Sequence, residues 1–117
     1  DEPEARAYEA MAAICAEHPE TRGVYVAIDN GAEGVARYLR AQGARPDMTV
    51  IGTGVYPEIR ALMAEGLVQM SIFQNTLAQG QLAVHTLFRY LSEGHQPDHE
   101  LLVPPYIAVN NNIDLWL

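Results

Sequence analysis

Apolar residues recur along the chain in two periods, and these periods predict helices and strands in alternation. In residues 3–18 the apolar positions repeat at i, i+3, i+4 and i+7, which predicts a helix whose apolar face carries Tyr8, Met11, Ala12 and Cys15. Short β-branched and aromatic runs predict buried strands at residues 23–28, 48–52 and 69–73. Pro19, Gly43 and Gly66 follow the predicted helices, where such residues end helical backbone.

Three further helices are predicted between and after these strands. Residues 31–42 carry an apolar stripe of Val35, Tyr38 and Leu39, and residues 57–65 have a proline in the first turn. Residues 76–92 form the longest helix, and its apolar positions cover much of its circumference: Leu77, Leu82, Ala83, Val84, Leu87, Phe88 and Leu91. A helix that is apolar over so wide a face needs cover on more than one side.

Strands that alternate with helices every 20–25 residues are typical of βαβ units and a parallel sheet. Right-handed crossovers place helices on both faces of such a sheet, so the predicted fold is an α/β, three-layer αβα sandwich with a mainly parallel sheet. Ligands of these folds bind beyond the carboxyl ends of the strands. We therefore expect residues 29–30, 53–56 and 74–75, which all follow strands, to gather at one edge as the functional surface.

Two polar pairs at this edge allow both a structural and a functional interpretation. Asp29 and Asn30 can cap the next helix or can offer hydrogen bonds to a ligand hydroxyl, and the local sequence favours the cap. Asn75 is also a good N-cap residue. Gln74 is harder to explain structurally, and a polar amide directly after an apolar strand is equally consistent with a ligand contact.

Composition and charge further limit the classes of protein to which this chain can belong. The chain has 117 residues, 49% of them hydrophobic, which fits one globular domain with a substantial core. Its formal net charge of −8 disfavours direct contact with a phosphate backbone, so we do not expect this part of a protein to hold DNA. The one cysteine, Cys15, excludes an internal disulfide and is predicted to be a buried packing residue. No apolar run reaches the ~20 residues of a membrane span.

No residue pattern predicts catalysis, a metal or a nucleotide cofactor. The sequence Gly52-Thr53-Gly54 lacks the third glycine of the dinucleotide motif and the Gly-Lys of the phosphate loop. Neither Ser71 nor Ser92 has the flanking residues of a nucleophile. His95 and His99 have a helical spacing, but Pro97 lies between them and disfavours a helical metal pair. We expect a binding protein that is not an enzyme and has no cofactor.

The amino-acid sequences of three segments resemble those of the lactose-repressor family and the type I periplasmic binding proteins. Residues 23–39 (GVYVAIDNGAEGVARYL) resemble their strand, polar pair and helix, and residues 50–58 (VIGTGVYPE) resemble the next strand and ligand loop. Residues 69–84 (QMSIFQNTLAQGQLAV) carry the most specific pattern, a strand followed by Gln-Asn and a Gln-Gly-x-x-Ala-Val helix. The resemblance covers nearly the whole chain.

This resemblance implies a two-lobed protein that binds a small sugar-like ligand between its lobes, of which this chain is the C-terminal part. Residues 1–74 would belong to the second lobe, residues 75–104 would pack on the first lobe, and residues 105–117 would return to the second. Without a first lobe, the broad apolar face of residues 76–92 predicts a homodimer or a swapped self-association.

By position, the resemblance implies ligand contacts from Asp29, Asn30, Gln74 and the loop that contains Gly54 and Tyr56. The family often has an aspartate where this chain has Gly54. Loss of that carboxylate removes a charge-assisted hydrogen bond worth about 1.5–3 kcal/mol. Either another group such as Tyr56 takes its place, or the ligand is not a typical free sugar.

Two functions share this fold. The first is a cytoplasmic, dimeric transcription regulator of the lactose-repressor type, in which ligand binding controls an upstream helix-turn-helix domain that contacts DNA. The second is a periplasmic sugar-binding protein of an ABC transporter. The ending Asn-Asn-Asn followed by a short apolar stretch, residues 110–117, is typical of the regulators and favours the first.

Overall fold

A computed structural model of the chain describes residues 3–28, 30–43, 45 and 47–117. The helices are α1 (Pro3–Glu17), α2 (Gly31–Ala41), α3 (Pro57–Ala64) and α4 (Thr76–Glu93). The strands are β1 (Gly23–Tyr25), β2 (Thr49–Thr53), β3 (Met70–Phe73) and β4 (Tyr106–Ala108), and a short 3-10 helix spans Ile113–Leu115. Each helix and strand predicted from the periodicity is present within a few residues of its expected bounds.

The four strands form one sheet in the order β1-β2-β3-β4. β1 pairs with β2 and β2 pairs with β3, both in parallel, with Val24 opposite Val50 and Gly52 opposite Ser71. The predicted α/β class with a mainly parallel sheet is confirmed. Because parallel strands run in the same direction, the connections that leave β1, β2 and β3 start from the same edge.

The prediction of a buried first strand is wrong in length and in burial. β1 ends at Tyr25 rather than at residue 28, and Tyr25 and Ile28 are 56% and 53% exposed. The physical reason is that β1 lies at the edge of the sheet, a position that the local sequence does not specify, and that Ile28 lies beyond its end in the loop before α2. Val26, just past the strand, is the buried residue of this segment.

The core lies between the sheet and the helices α1, α2 and α3. Its largest fully buried side chains include Met11 of α1, Val50 of β2 and Ile59 of α3. The predicted apolar face of α1 is confirmed, with Met11 buried and Tyr8, Ala12 and Cys15 half-buried against the core. Cys15 is therefore a packing residue as predicted, although it is less buried than expected.

Helices α1 and α2 pack closely because a glycine lies at their crossing. A Cβ placed on Gly34 would come within 2.1 Å of the carbonyl oxygen of Glu4 and 2.9 Å of the Tyr8 nitrogen. The rings of Tyr8 and Tyr38 meet edge to face beside this crossing, with centroids 5.7 Å apart. Arg37 lies over the Tyr8 ring and forms an ion pair with Glu4 at 2.9 Å.

The chain divides into two compact units. The first comprises residues 1–73 and 107–117, and the second comprises residues 74–106. In the second unit, no residue of α4 is fully buried and Leu82 is half-buried. The other large apolar side chains of this helix are between 45% and 73% exposed: Leu77, Val84, Leu87, Phe88, Tyr90 and Leu91. The wide apolar face predicted for this helix is therefore present, and most of it is exposed.

Candidate functional site

The loop after β1 and the loop after β2 are joined by hydrogen bonds at the carboxyl edge of the sheet. Thr53 Oγ1 donates to the carbonyl oxygen of Val26 at 2.7 Å, and the Tyr25 hydroxyl lies 3.4 Å from the same Oγ1. The Tyr56 hydroxyl accepts a hydrogen bond from the backbone N–H of Asn30 at 3.2 Å. Two of the three loops expected to form the functional surface are thus adjacent. We call this pair of loops, residues 26–33 and 53–56, the loop edge.

The backbone conformation of Gly54 explains why this position is a glycine. Its φ of +87° lies in the left-handed region, where a side chain is strained and glycine is not. Its N–H donates to the Ile72 carbonyl at 3.0 Å, and its carbonyl accepts from Ser71 Oγ at 2.6 Å. Both backbone groups are bonded to β3. An aspartate, which the family resemblance leads one to expect at this position, would have to adopt this strained backbone.

Asn30 occupies the N-cap position of α2 but does not cap it with its side chain. Its backbone is left-handed, with φ 62° and ψ −2°, whereas N-cap residues usually have extended backbone. No N–H of the helix donates to its side chain. The local expectation of a capping side chain is therefore wrong for Asn30, whose exposed side chain makes no cap hydrogen bond to α2. Asp29, its predicted partner in the pair, lies outside the described residues.

Glu33 is part of the loop edge although the sequence interpretation did not select it. The Tyr56 hydroxyl donates to Glu33 Oε2 at 3.2 Å, so one hydroxyl joins a backbone N–H and a carboxylate. Glu33 lies three residues after Asn30, which is the spacing between the N-cap and N3 positions of a capping box. That spacing was the signal in the sequence that could have identified it.

Gln74 and Asn75 follow β3 directly and belong to the second unit. Asn75 caps α4 as predicted, because its Oδ1 accepts a hydrogen bond from the Ala78 N–H at 2.9 Å. Gln74 is exposed. Its predicted role as a ligand contact stays a prediction.

The described part of the chain contains no group of three or more His, Cys, Asp or Glu residues placed to hold a metal ion. Within the same residues, no helix combines the length and the apolar character required to cross a membrane. The described side chains of the loop edge offer hydroxyl, amide and carboxylate groups, which can form hydrogen bonds.

Comparison with known proteins connects this fold to one family. The sequence model described as "Periplasmic binding protein domain" matches residues 1–96 of the chain. Among solved structures, a periplasmic ribose ABC transporter protein from Conexibacter woesei superposes with a TM-score of 0.86 and 25% identity, over 96% of this chain and 38% of that one.

Two proteins from Geobacillus stearothermophilus have the same fold at lower identity. A glucose-galactose binding protein gives a TM-score of 0.84 with 20% identity, over 97% of this chain and 40% of that one. An arabinose binding protein gives a TM-score of 0.83 with 17% identity, over 97% of this chain and 42% of that one. The chain thus spans about two fifths of the proteins that it matches. By its sequence match over residues 1–96 and by its fold, the chain belongs to the periplasmic binding protein domain family.

Proposed function

We propose that this chain forms part of a two-lobed binding protein for a small, uncharged carbohydrate, and that the loop edge supplies one side of the binding site. The observation that carries the proposal is the convergence of the loops after β1 and β2, joined through Tyr56, at the sheet edge where parallel α/β folds bind ligands. The three solved structures compared above are a ribose transporter protein, a glucose-galactose binding protein and an arabinose binding protein, which supports a sugar as the ligand.

The charge of the loop edge favours a polyol over an anion. By sequence, residues 26–33 and 53–56 contain no lysine or arginine, but they contain two acidic residues, Asp29 and Glu33. Carboxylates and amide oxygens accept hydrogen bonds from sugar hydroxyls, whereas they repel a phosphate group that no cation neutralises. We therefore assign ligand contacts to Asp29 and Asn30, to the loop of Gly54 and Tyr56, and to Gln74. The role is binding, with no catalytic group required.

The exposed face of α4 supports the proposed two-lobed arrangement. Leu77, Val84, Phe88 and Leu91 lie at spacings of seven, four and three residues and are each at least 62% exposed. An exposed apolar strip of this kind marks a surface that another part of a protein covers, because without cover it promotes aggregation. We propose that residues 75–104 pack against a complementary lobe, while residues 1–74 and 105–117 form the lobe that carries the loop edge.

Two biological roles follow from such a domain. The first is the effector-binding part of a lactose-repressor-type regulator, dimeric and cytoplasmic, that acts on DNA through a separate helix-turn-helix domain. The Asn-rich ending of residues 110–117 favours it. The second is a periplasmic sugar-binding protein of an ABC transporter, which the solved structures named above favour.

Titration of the 15N-labelled chain with D-ribose, D-glucose, D-galactose and L-arabinose tests the ligand class. We expect saturable amide shifts around Asn30 and Tyr56 with one of these sugars in the millimolar range, since part of a two-lobed site binds more weakly than the whole. Ribose 5-phosphate is the matched control, because the acidic loop edge should reject it. Shifts with the phosphate and none with the free sugars would refute the proposal.

The encoded sequence that precedes Asp1 in the gene separates the two roles. A helix-turn-helix segment of about 60 residues there assigns the regulator, since this motif places a recognition helix in the DNA major groove. A signal peptide with a short apolar region and a small-residue cleavage site assigns the transporter protein. A hydrolytic activity of the purified chain on glycosides would contradict both roles.

A further inference from the structure

The Tyr56 hydroxyl takes the place of a direct bond within a helix capping box. In the usual box, the N3 glutamate accepts a hydrogen bond from the N-cap backbone N–H. Here the N–H of Asn30 donates to Tyr56 Oη, and the hydroxyl donates to Glu33 Oε2, each at 3.2 Å. A side chain from the loop after β2 therefore connects the two ends of the first turn of α2.

The Tyr56 hydroxyl is engaged both as a donor and as an acceptor. It donates to Glu33 Oε2, and its oxygen accepts from the Asn30 N–H. The side-chain amide of Asn30, by contrast, is not engaged in capping and is exposed.

The backbone at Tyr56 is restricted, and this restricts where its side-chain hydroxyl can lie. Its φ of −158° and ψ of 163° are the extended values that a residue before proline prefers, and Pro57 follows it in the first turn of α3. Two residues earlier, Gly54 is bonded to β3 through both its N–H and its carbonyl. The loop that carries Tyr56 is therefore held at both ends.

We propose that Tyr56 is a positioning residue of the ligand site: it holds Asn30, at the start of α2, in the left-handed conformation required for ligand binding. The inference rests on the proposed function and deepens it. Asn30 has φ 62°, in the left-handed region that costs asparagine less than most residues with a side chain but more than glycine. The bond from its N–H to Tyr56 compensates for that cost, and Glu33 orients the hydroxyl for this bond.

The test compares variants of the whole chain in sugar affinity, thermal stability and exchange of the Asn30 amide proton. We expect Tyr56→Phe to weaken binding of the sugar identified above by about tenfold, the size of one lost hydrogen bond to a polar network. Its Asn30 amide should exchange faster with solvent, and the loss of affinity should persist at temperatures well below the melting temperature of the variant. A residue with a purely structural role would lower the melting temperature and leave affinity at temperatures below it unchanged.

Glu33 variants provide the matched control. Glu33→Gln keeps an acceptor oxygen and should preserve affinity, whereas Glu33→Met removes it and should weaken binding as Tyr56→Phe does. The double variant Tyr56→Phe/Glu33→Met should bind no more weakly than Tyr56→Phe alone, because both changes break one linkage. Additive losses would mean that Glu33 contacts the sugar itself and would overturn the positioning role.

The outcome for Tyr56 is separable from the outcome for the ligand. If the wild-type chain binds none of the four sugars, the proposed function fails. In that case the exchange of the Asn30 amide still decides the proposal for the turn: protection lost in Tyr56→Phe and kept in Glu33→Gln supports it. Unchanged protection in Tyr56→Phe, or unchanged sugar affinity in that variant, overturns it.

Discussion

The crossing of α1 and α2 depends on the absence of a side chain at Gly34. A Cβ at this position would lie 2.1 Å from the carbonyl oxygen of Glu4, which belongs to the α1 backbone, and 2.9 Å from the Cβ of Ala7. Non-bonded heavy atoms settle at about 3.5–4 Å, so Gly34→Ala requires α1 to move by roughly 1 Å or more. The obstacle is main chain, which no change of rotamer relieves.

Two opposing contributions determine how much Gly34→Ala changes the free energy of unfolding. Alanine is favoured over glycine inside a helix by about 1 kcal/mol, which would stabilise α2. Overpacking of a close contact costs about 1–3 kcal/mol, and a displaced α1 also loosens the burial of Met11, which is 1% exposed. Because the contact is far closer than van der Waals distance, we expect the cost to dominate, with a net loss of about 1–2 kcal/mol in the free energy of unfolding.

Urea unfolding followed by circular dichroism measures this difference, and Gly80→Ala is the matched control. Gly80 also lies within a helix, but a Cβ there meets no atom within 4 Å. We expect Gly80→Ala to raise helical content or stability slightly, by about 0.5–1 kcal/mol locally, and Gly34→Ala to lower the unfolding midpoint. Equal or greater stability of Gly34→Ala would refute the close packing described here.

Two further results are expected. The Arg60 hydrogen bond lowers the pKa of Asp114, so its contribution to stability is present above the ordinary carboxyl pKa and is lost as pH falls through the lowered value. Unfolding midpoints measured from pH 5 to pH 2 should therefore fall less steeply in Asp114→Asn, and an unchanged slope would contradict the ion pair. The chain alone should self-associate through α4, which light scattering would detect as a mass above that of the monomer. The double variant Val84→Glu/Leu91→Glu should reduce this association more than the control Gln81→Glu. A monomeric wild-type chain would exclude self-association through α4.

The sequence by itself determined the elements and their order. Helix ends follow from local chemistry, as Gly43, Gly66 and Gly94 show with positive φ after α2, α3 and α4, and as Asn75 shows by capping α4 with its own side chain. These groups lie within a few residues of the backbone that they satisfy. Periodicity likewise identified Met11 as core and the α4 face as apolar.

The tertiary structure decided what lies beside each element. Local sequence favoured Asn30 as a capping side chain, but its N–H bonds to Tyr56, 26 residues further along the chain, and its backbone is left-handed. Glu33 and Tyr25 entered the candidate site for the same reason, because the chain folds their partners next to them. A periodic pattern indicates which face of a helix or strand avoids water. Strand order and long-range contacts depend on the whole chain instead. These two features determine the exposure of β1 and the hydrogen bonds that join the two loops.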